Sequence, residues 1–393
     1  MTMKSIRRAA FAFVLLAGVG LGSLRAMPAF ARKYSLSCKT CHAPFPKLKP
    51  YGEEFAANGF VIKDKDTPRD TIDTGDPLLS LLRDVPLALR LEGFLAWNNA
   101  NQGQIDFLAP YVLKLVSGGA ITKNIAYYFY FFFSERGEVA GIEDAFVMFN
   151  ELFGSDLDLY VGQFQISDPL FKREIRLPFE DYQIYRATPG DSGINLTYDR
   201  GVMLTYGFAT GTDVTFELLN GTGIGEANEF RGFDDDPYKN VLLRISQGIV
   251  PAFRLGAFGY TGKERPEDIV NSVWMAGADA TLAFKPLELN VQYVERRDSN
   301  PYFSAVLPTE KTMTRGAFAE LIYLPKGDDG RWYGAGLFNW VDSDQVDLRY
   351  TAATAHAGYL LRRNMRLTGE TTYVFTGPYG EHVRVGVGLV LGF

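Results

Sequence analysis

Cysteine is nearly absent from this chain, with two in 393 residues, and there are only three histidines and four tryptophans. A disulfide-stapled scaffold is excluded, because a bridge between Cys38 and Cys41 would close a tiny strained loop that staples almost nothing. A zinc site would need further ligands, yet His356 and His382 lie over three hundred residues downstream, without cysteine partners. Long apolar runs are missing too: past the first residues, none approaches the length of a transmembrane helix. An excess of positive charge is likewise absent. The formal net charge of −6 argues against a nucleic-acid partner and is compatible with a cationic metal substrate.

What is present starts with the placement of the two cysteines. Cys38-Lys39-Thr40-Cys41-His42 puts two thiols at the spacing that adds to the vinyl groups of a haem, with the adjoining histidine as proximal iron ligand. A thioredoxin-like redox pair would want a βαβ context, which the flanking sequence lacks. The start of the chain reads as an export signal. Lys4, Arg7 and Arg8 are followed by an apolar stretch from Ala9 to Leu21, with cleavage after Ala26 or as late as Ala31. Export and covalent haem agree, since c-type haem is attached after translocation.

Phe, Tyr and Gly are heavily used, at 30, 21 and 40 residues. From about Val85 the chain alternates apolar and polar residues over segments of roughly ten, separated by Gly, Asn, Asp and Pro, the pattern of transmembrane β-strands. In 87–97 the odd positions are mostly bulky and apolar, while Arg90 and Glu92 take the other face. In 382–393, Val383, Val385, Val387, Leu389, Leu391 and Phe393 share one face. The final aromatic resembles the assembly signal of bacterial outer-membrane barrels. Strands are expected to start near 86, 107, 125, 142, 157, 200, 212, 240, 252, 272, 286, 315, 331, 348, 364 and 381. Short links such as 284–286, 362–364 and 209–212 alternate with long ones near 167–198, 220–238 and 297–314. The expected fold is therefore all-β: a transmembrane antiparallel β-barrel of about 16 strands with a small N-terminal helical c-type haem segment and both barrel ends in the periplasm.

The expected organisation is a signal peptide over 1–26, a monohaem segment over 27–63, a linker over 64–84 and an outer-membrane barrel over 85–393. Pro50 to Gly59 reads as a short helix with Tyr51 and Phe55 on one face and Gly59 as its stop. Asp64 to Asp76 is charged and turn-rich, a tether. Some forty residues are too few to enclose a haem, so the barrel lumen is expected to supply the missing walls. The apolar band of such a barrel is about 25 Å tall, too far for efficient electron tunnelling, and a haem within the barrel would divide that distance.

Phe30-Ala31-Arg32, Cys38-x-x-Cys41-His42, Phe45-Pro46-x-Leu48-x-x-x-Gly52-x-x-Phe55-x-x-x-Gly59 and a barrel ending in Phe393 resemble the fused monohaem cytochrome–porins of outer membranes. The best-known members are the outer-membrane iron oxidases of Fe(II)-oxidising bacteria. The resemblance is detailed over residues 27–60 and architectural over the barrel. It departs from the family pattern at Lys33-Tyr34-Ser35 and at Phe60, where tyrosine is common. It implies one covalent c-type haem, acceptance of electrons from extracellular Fe(II), and transfer to a periplasmic electron-carrier cytochrome, the activity of an Fe(II):cytochrome c oxidoreductase.

For the far side of the iron, strand parity turns Met148, Met203 and Met275 towards the lumen, and Met27 lies near the motif in sequence. Each is more readily read as packing. His382 is expected to point inward near the outer rim, while the parity of His356 is ambiguous. Glu226, Glu229 and Asp234–Asp236 in one long loop, and Glu174, Glu180, Asp181 and Asp191 in another, are oxygen ligands that suit Fe(II); ordinary solvated loop surface is the simpler reading. The second loop also carries Lys172, Arg173, Arg176 and Arg186. Three functions follow: an inward electron conduit, the same wiring run outward to an extracellular acceptor, or a passive porin with a haem-bearing plug. The last draws on the charged lumen residues Arg90, Glu92, Lys114, Arg244, Arg254 and Glu288.

Overall fold

The computed structural model describes residues 29–44, 46–62, 71–72, 74–79, 81–83, 85–170, 175–306 and 311–393. The expected signal peptide, with Met27, and the loop residues Lys172, Arg173 and Glu174 lie outside them. The barrel begins at β3 (Leu87–Asn98), β4 (Gln104–Thr122), β5 (Ile125–Glu135), β6 (Gly141–Leu152), β7 (Leu157–Gln165), β8 (Tyr198–Gly207) and β9 (Thr212–Leu219). It continues through β10 (Asn240–Val250), β11 (Phe253–Glu264), β12 (Asn271–Phe284), β13 (Leu287–Asp298) and β14 (Thr312–Tyr323), and ends with β15 (Trp332–Ser343), β16 (Tyr350–Arg362), β17 (Met365–Thr376) and β18 (His382–Gly392). Each pairs antiparallel with its sequence neighbours, and β18 pairs with β3, which closes the sixteen-stranded sheet. The last residue shares in the seam: Phe393 and Leu89 exchange both backbone hydrogen bonds, at 2.9 and 2.6 Å. Closure leaves no unpaired edge.

The alternation read from the sequence decides which face is which. On β15, Tyr333, Ala335, Leu337, Asn339, Val341 and Ser343 are buried, whereas Trp332 and Phe338 are exposed on the outside. An outward face of exposed apolar residues, with Tyr206–Phe208, Tyr323–Trp332 and Tyr373–Phe375 ring pairs near the ends, is the arrangement of a barrel that meets lipid. Among the described residues no helix is long and apolar enough to cross a membrane.

Short turns gather at the end that holds both Leu87 and Phe393, and long loops at the other. The loop 166–197 folds back into the lumen. Its Ile166, Leu170, Ile175, Leu177, Tyr182, Ile184, Tyr185, Ile194 and Leu196 form one buried cluster with inward residues of β10 to β15, among them Leu242, Tyr260, Met275 and Phe318. The Tyr182 and Phe318 rings stack at 4.0 Å. Gly386 allows the loop this close, because a Cβ there would meet the Phe179 ring at 2.0 Å. Arg296 of β13 donates to the Ala187 carbonyl at 3.0 Å and to Ser192 Oγ at 2.8 Å. Glu264 of β11 accepts from Gly193 N at 2.8 Å.

Ahead of the barrel come three short helices, α1 (Ala29–Tyr34), α2 (Cys38–Cys41) and α3 (Pro50–Ala57). Of the expected linker, residues 64–70 lie outside the described residues, and β1 (Thr71–Ile72) and β2 (Leu81–Leu82) form a small antiparallel ribbon.

Candidate functional site

α2 is a single turn carrying both cysteines. The His42 amide donates to the Cys38 carbonyl at 2.9 Å, so Cys38, Cys41 and His42 are held on one compact turn. The two sulfurs are free thiols, and burial raises the pKa of each. His42 Nδ1 lies 2.6 Å from the Pro46 carbonyl, a geometry that places the proton on Nδ1 and the lone pair on Nε2. Burial lowers the His42 pKa from 6.5 to about 4 against the opposing pull of that hydrogen bond, so the ring is neutral at physiological pH. A neutral imidazole oriented by a backbone carbonyl is the metal-ligating form.

α3 packs on this turn through Gly52, where a Cβ would lie 2.5 Å from the Cys41 carbonyl oxygen. That corrects the expected packed face of the helix: Gly52 and Phe55 are buried and Tyr51 is exposed. The helix crosses too near α2 for a side chain at 52, and its facing direction follows from that contact. Phe55 meets Phe30, Tyr34 and Phe60 edge-on at 5.3, 5.6 and 6.1 Å, and Phe30 stacks on Phe60 at 5.0 Å. Tyr34 Oη donates to the Phe60 carbonyl at 2.8 Å, which ties α1 to the end of the segment.

The segment is seated in the short-turn mouth of the barrel. Lys39 and Lys49 pair with Asp329 and Asp328 of the β14–β15 turn at 2.6 Å each, and Lys47 pairs with Glu288 at 3.1 Å. Phe60 stacks on Tyr128 of β5 at 5.4 Å, and Asn150 of β6 donates to the Ala57 carbonyl.

Between the segment and the wall lies a cavity of about 870 Å³, within the roughly 300–1,000 Å³ of small-molecule and cofactor sites. Cys38, Cys41 and His42 open onto it from one side. Leu89, Arg90, Lys114, Tyr128, Tyr130, Asp144, Met148, Tyr160, Met203, Arg176 and Arg366 belong to the other. The residues present thus fit a haem: two thiols and one neutral imidazole converge on a largely apolar space of suitable size. Met148 and Met203 line it. Met275 faces the lumen as expected but is packed into the cluster around the inserted loop. The Met148 sulfur accepts from Asn150 Nδ2 at 2.9 Å.

The other singled-out residues separate. His356 also faces the lumen, buried with Tyr333 and Glu370, and His382 is buried at the long-loop end. The loop acids do not form a set. Glu180 is 2 % exposed and accepts from Gln183, Asn339, Tyr350 and Arg384. Asp234 pairs with Lys239, and Asp236 accepts backbone amides of Tyr238 and Arg265. Glu226 and Glu229 are exposed. Among the described residues no group of three His, Cys, Asp or Glu is gathered to hold a metal ion. Arg176, Arg366 and Tyr130 line the cavity without having been singled out for it. The alternation around Arg366 carried the signal for that residue.

The fold is that of the sixteen-stranded outer-membrane porins. Similar solved structures include the anion-selective porin from Comamonas acidovorans, at 13 % identity and TM-score 0.54 over 79 % of this chain and 99 % of that one. The channel DcaP of Acinetobacter baumannii is similar at 14 % identity and TM-score 0.55, covering 79 % and 97 %. OmpT of Vibrio cholerae follows at 10 % identity and TM-score 0.55, covering 79 % and 99 %. At these identities the likeness is one of fold. No family model and no curated protein matches the chain.

Proposed function

We propose that the chain is a cytochrome–porin of the bacterial outer membrane that moves electrons between the cell surface and the periplasm, with extracellular Fe(II) as donor and a periplasmic cytochrome as acceptor. The observation that carries this reading is that Cys38, Cys41 and His42 open together onto one cavity walled by the barrel lumen. A c-type haem attached there supplies reversible one-electron chemistry.

The chain's own residues supply the rest. Pro46 fixes the ring of His42, and the Phe30, Tyr34, Phe55 and Phe60 cluster excludes water from the motif's flank. Ion pairs to Asp328, Asp329 and Glu288 seat the segment inside the short-turn mouth, where it shortens the distance across the apolar band. The inserted loop packs into the lumen against inward residues of β10 to β15 and narrows it. Fe(II) as donor rests on the family resemblance. In this reading its encounter surface is the exposed carboxylates Glu226 and Glu229, with Glu180 excluded by its buried contacts.

Purified, detergent-solubilised protein is expected to show a c-type spectrum that converts from oxidised to reduced on adding Fe(II). Reduction by dithionite without any reduction by Fe(II) would overturn the iron reading and leave the cytochrome. Absence of a covalent haem would overturn both.

A further inference from the structure

The cavity's lysines and arginines are confined to one of its two sides. Among the described residues the N-terminal segment contributes no lysine or arginine to the lining and brings Glu53 and Glu54 instead. Its own Lys39, Lys47 and Lys49 point away, to acids of the barrel rim. Among the described residues each lysine and arginine that faces the cavity belongs to the barrel: Arg90 on β3, Lys114 on β4, Arg366 on β17, Arg176 in the inserted loop and Arg363 in a turn. The same side also brings five acids: Asp144, Asp158 and Asp213 on β6, β7 and β9, Asp156 in a turn and Asp168 in the inserted loop.

One of these cations is poorly compensated. Arg90 and Lys114 are direct cross-strand partners, both turned inward, and like charges opposite one another destabilise a strand pair. Arg90 hydrogen-bonds Glu92 through Nε at 2.5 Å, which neutralises one charge of the two. Lys114 is 9 % exposed, and its ammonium rests over the Tyr130 ring at 3.3 Å and near the Phe132 ring at 4.8 Å. Among the described residues Lys114 Nζ has no hydrogen bond or ion pair, although the charges of Glu143 and Asp144 act on it. A buried ammonium held only by ring faces is costly unless an anion completes its shell. Arg366, whose guanidinium donates to Tyr333 Oη at 3.0 Å, stands on the same side and acts electrostatically on both Arg90 and His42.

We infer that Lys114 and Arg90 on the barrel wall, flanked by Arg366, form the carboxylate-binding half of the cofactor site, taking the two propionate groups of the haem whose other edge is attached at Cys38 and Cys41. This rests on the haem reading above and adds to it a division of labour. The segment supplies the covalent and axial bonds, and the barrel supplies the charges that orient the ring and neutralise its anionic edge. An amide or aliphatic side chain at 114 leaves a propionate facing Tyr130 without its cation.

The test uses full-length protein matured with covalent haem, and three readouts: haem staining on a denaturing gel, heat-modifiable gel migration as a measure of the folded barrel, and the propionate-bending band in resonance Raman spectra. Lys114→Gln and Arg90→Gln are expected to keep stainable haem and to shift that band. Lys114→Arg is expected to retain the parent band, as is Arg254→Gln, which removes a lumen cation outside the cavity lining. If Lys114→Gln does not reach the folded barrel, Lys114→Met keeps the apolar stem on Tyr130 and takes its place. An unchanged band in folded, haem-bearing Lys114 and Arg90 variants overturns the inference and leaves the cytochrome standing. Absence of covalent haem from the parent protein overturns the inference together with the reading beneath it.

Discussion

At the scale of single residues, the motif and its support act as one small machine. Cys38→Ala with Cys41→Ala is expected to abolish haem staining while heat-modifiable migration of the barrel persists, because the barrel strands close without the segment. Gly52→Val places methyl groups against the Cys41 carbonyl. The overpacking is expected to cost about 1–3 kcal/mol and to lower covalent haem yield several-fold on the same stain. His42 gives a pH signature in the haem-free double variant. Its pKa falls from 6.5 to about 4 on folding, so the unfolded segment binds the proton more tightly. Stability of the docked segment is then expected to rise with pH between those values and to be lost on acidification through them, measured by protease accessibility of the segment. That Cys38, Cys41 and His42 sit together was legible because the three are neighbours in the chain. The role of Pro46 and the packing of Gly52 were not, since each depends on how three short helices fold over one another, and periodicity alone turned Tyr51 the wrong way.

Elements show the same division between local pattern and tertiary event. The expected strand starts fall within a few residues of those observed, because a two-residue period with one lipid-facing side leaves little freedom of register. Parity likewise turned Met148, Met203 and Met275 inward. The inserted loop was read as an external one with exposed acids. Nothing in 166–197 marks a loop that folds inward except its run of Ile, Leu, Phe and Tyr, and this aromatic-rich chain uses such residues everywhere. Glu180 is the clearest case: a carboxylate that suited a surface cation proved to be the inner anchor of the loop. Glu180→Ala removes the acceptor of four side-chain donors, and the loss of such a buried acceptor is worth about 1–3 kcal/mol. The expected result is a looser loop: faster proteolytic cutting within 166–197 and a solute conductance in planar bilayers that differs from the parent protein's.

For the whole molecule, the barrel and the segment complete one another. The segment is too small to wall a cofactor, and the barrel mouth meets it with Tyr128, Asn150, Asp328 and Asp329. The inserted loop narrows the lumen from one end and the segment occupies the mouth at the other. The central claim is tested most directly in liposomes holding oxidised cytochrome c inside and Fe(II) outside. Vesicles with the full-length haem protein are expected to reduce the enclosed cytochrome, and vesicles with the Cys38→Ala, Cys41→Ala variant are expected to leave it oxidised. Equal reduction in both, or none in either while the parent protein carries its haem, would contradict the account.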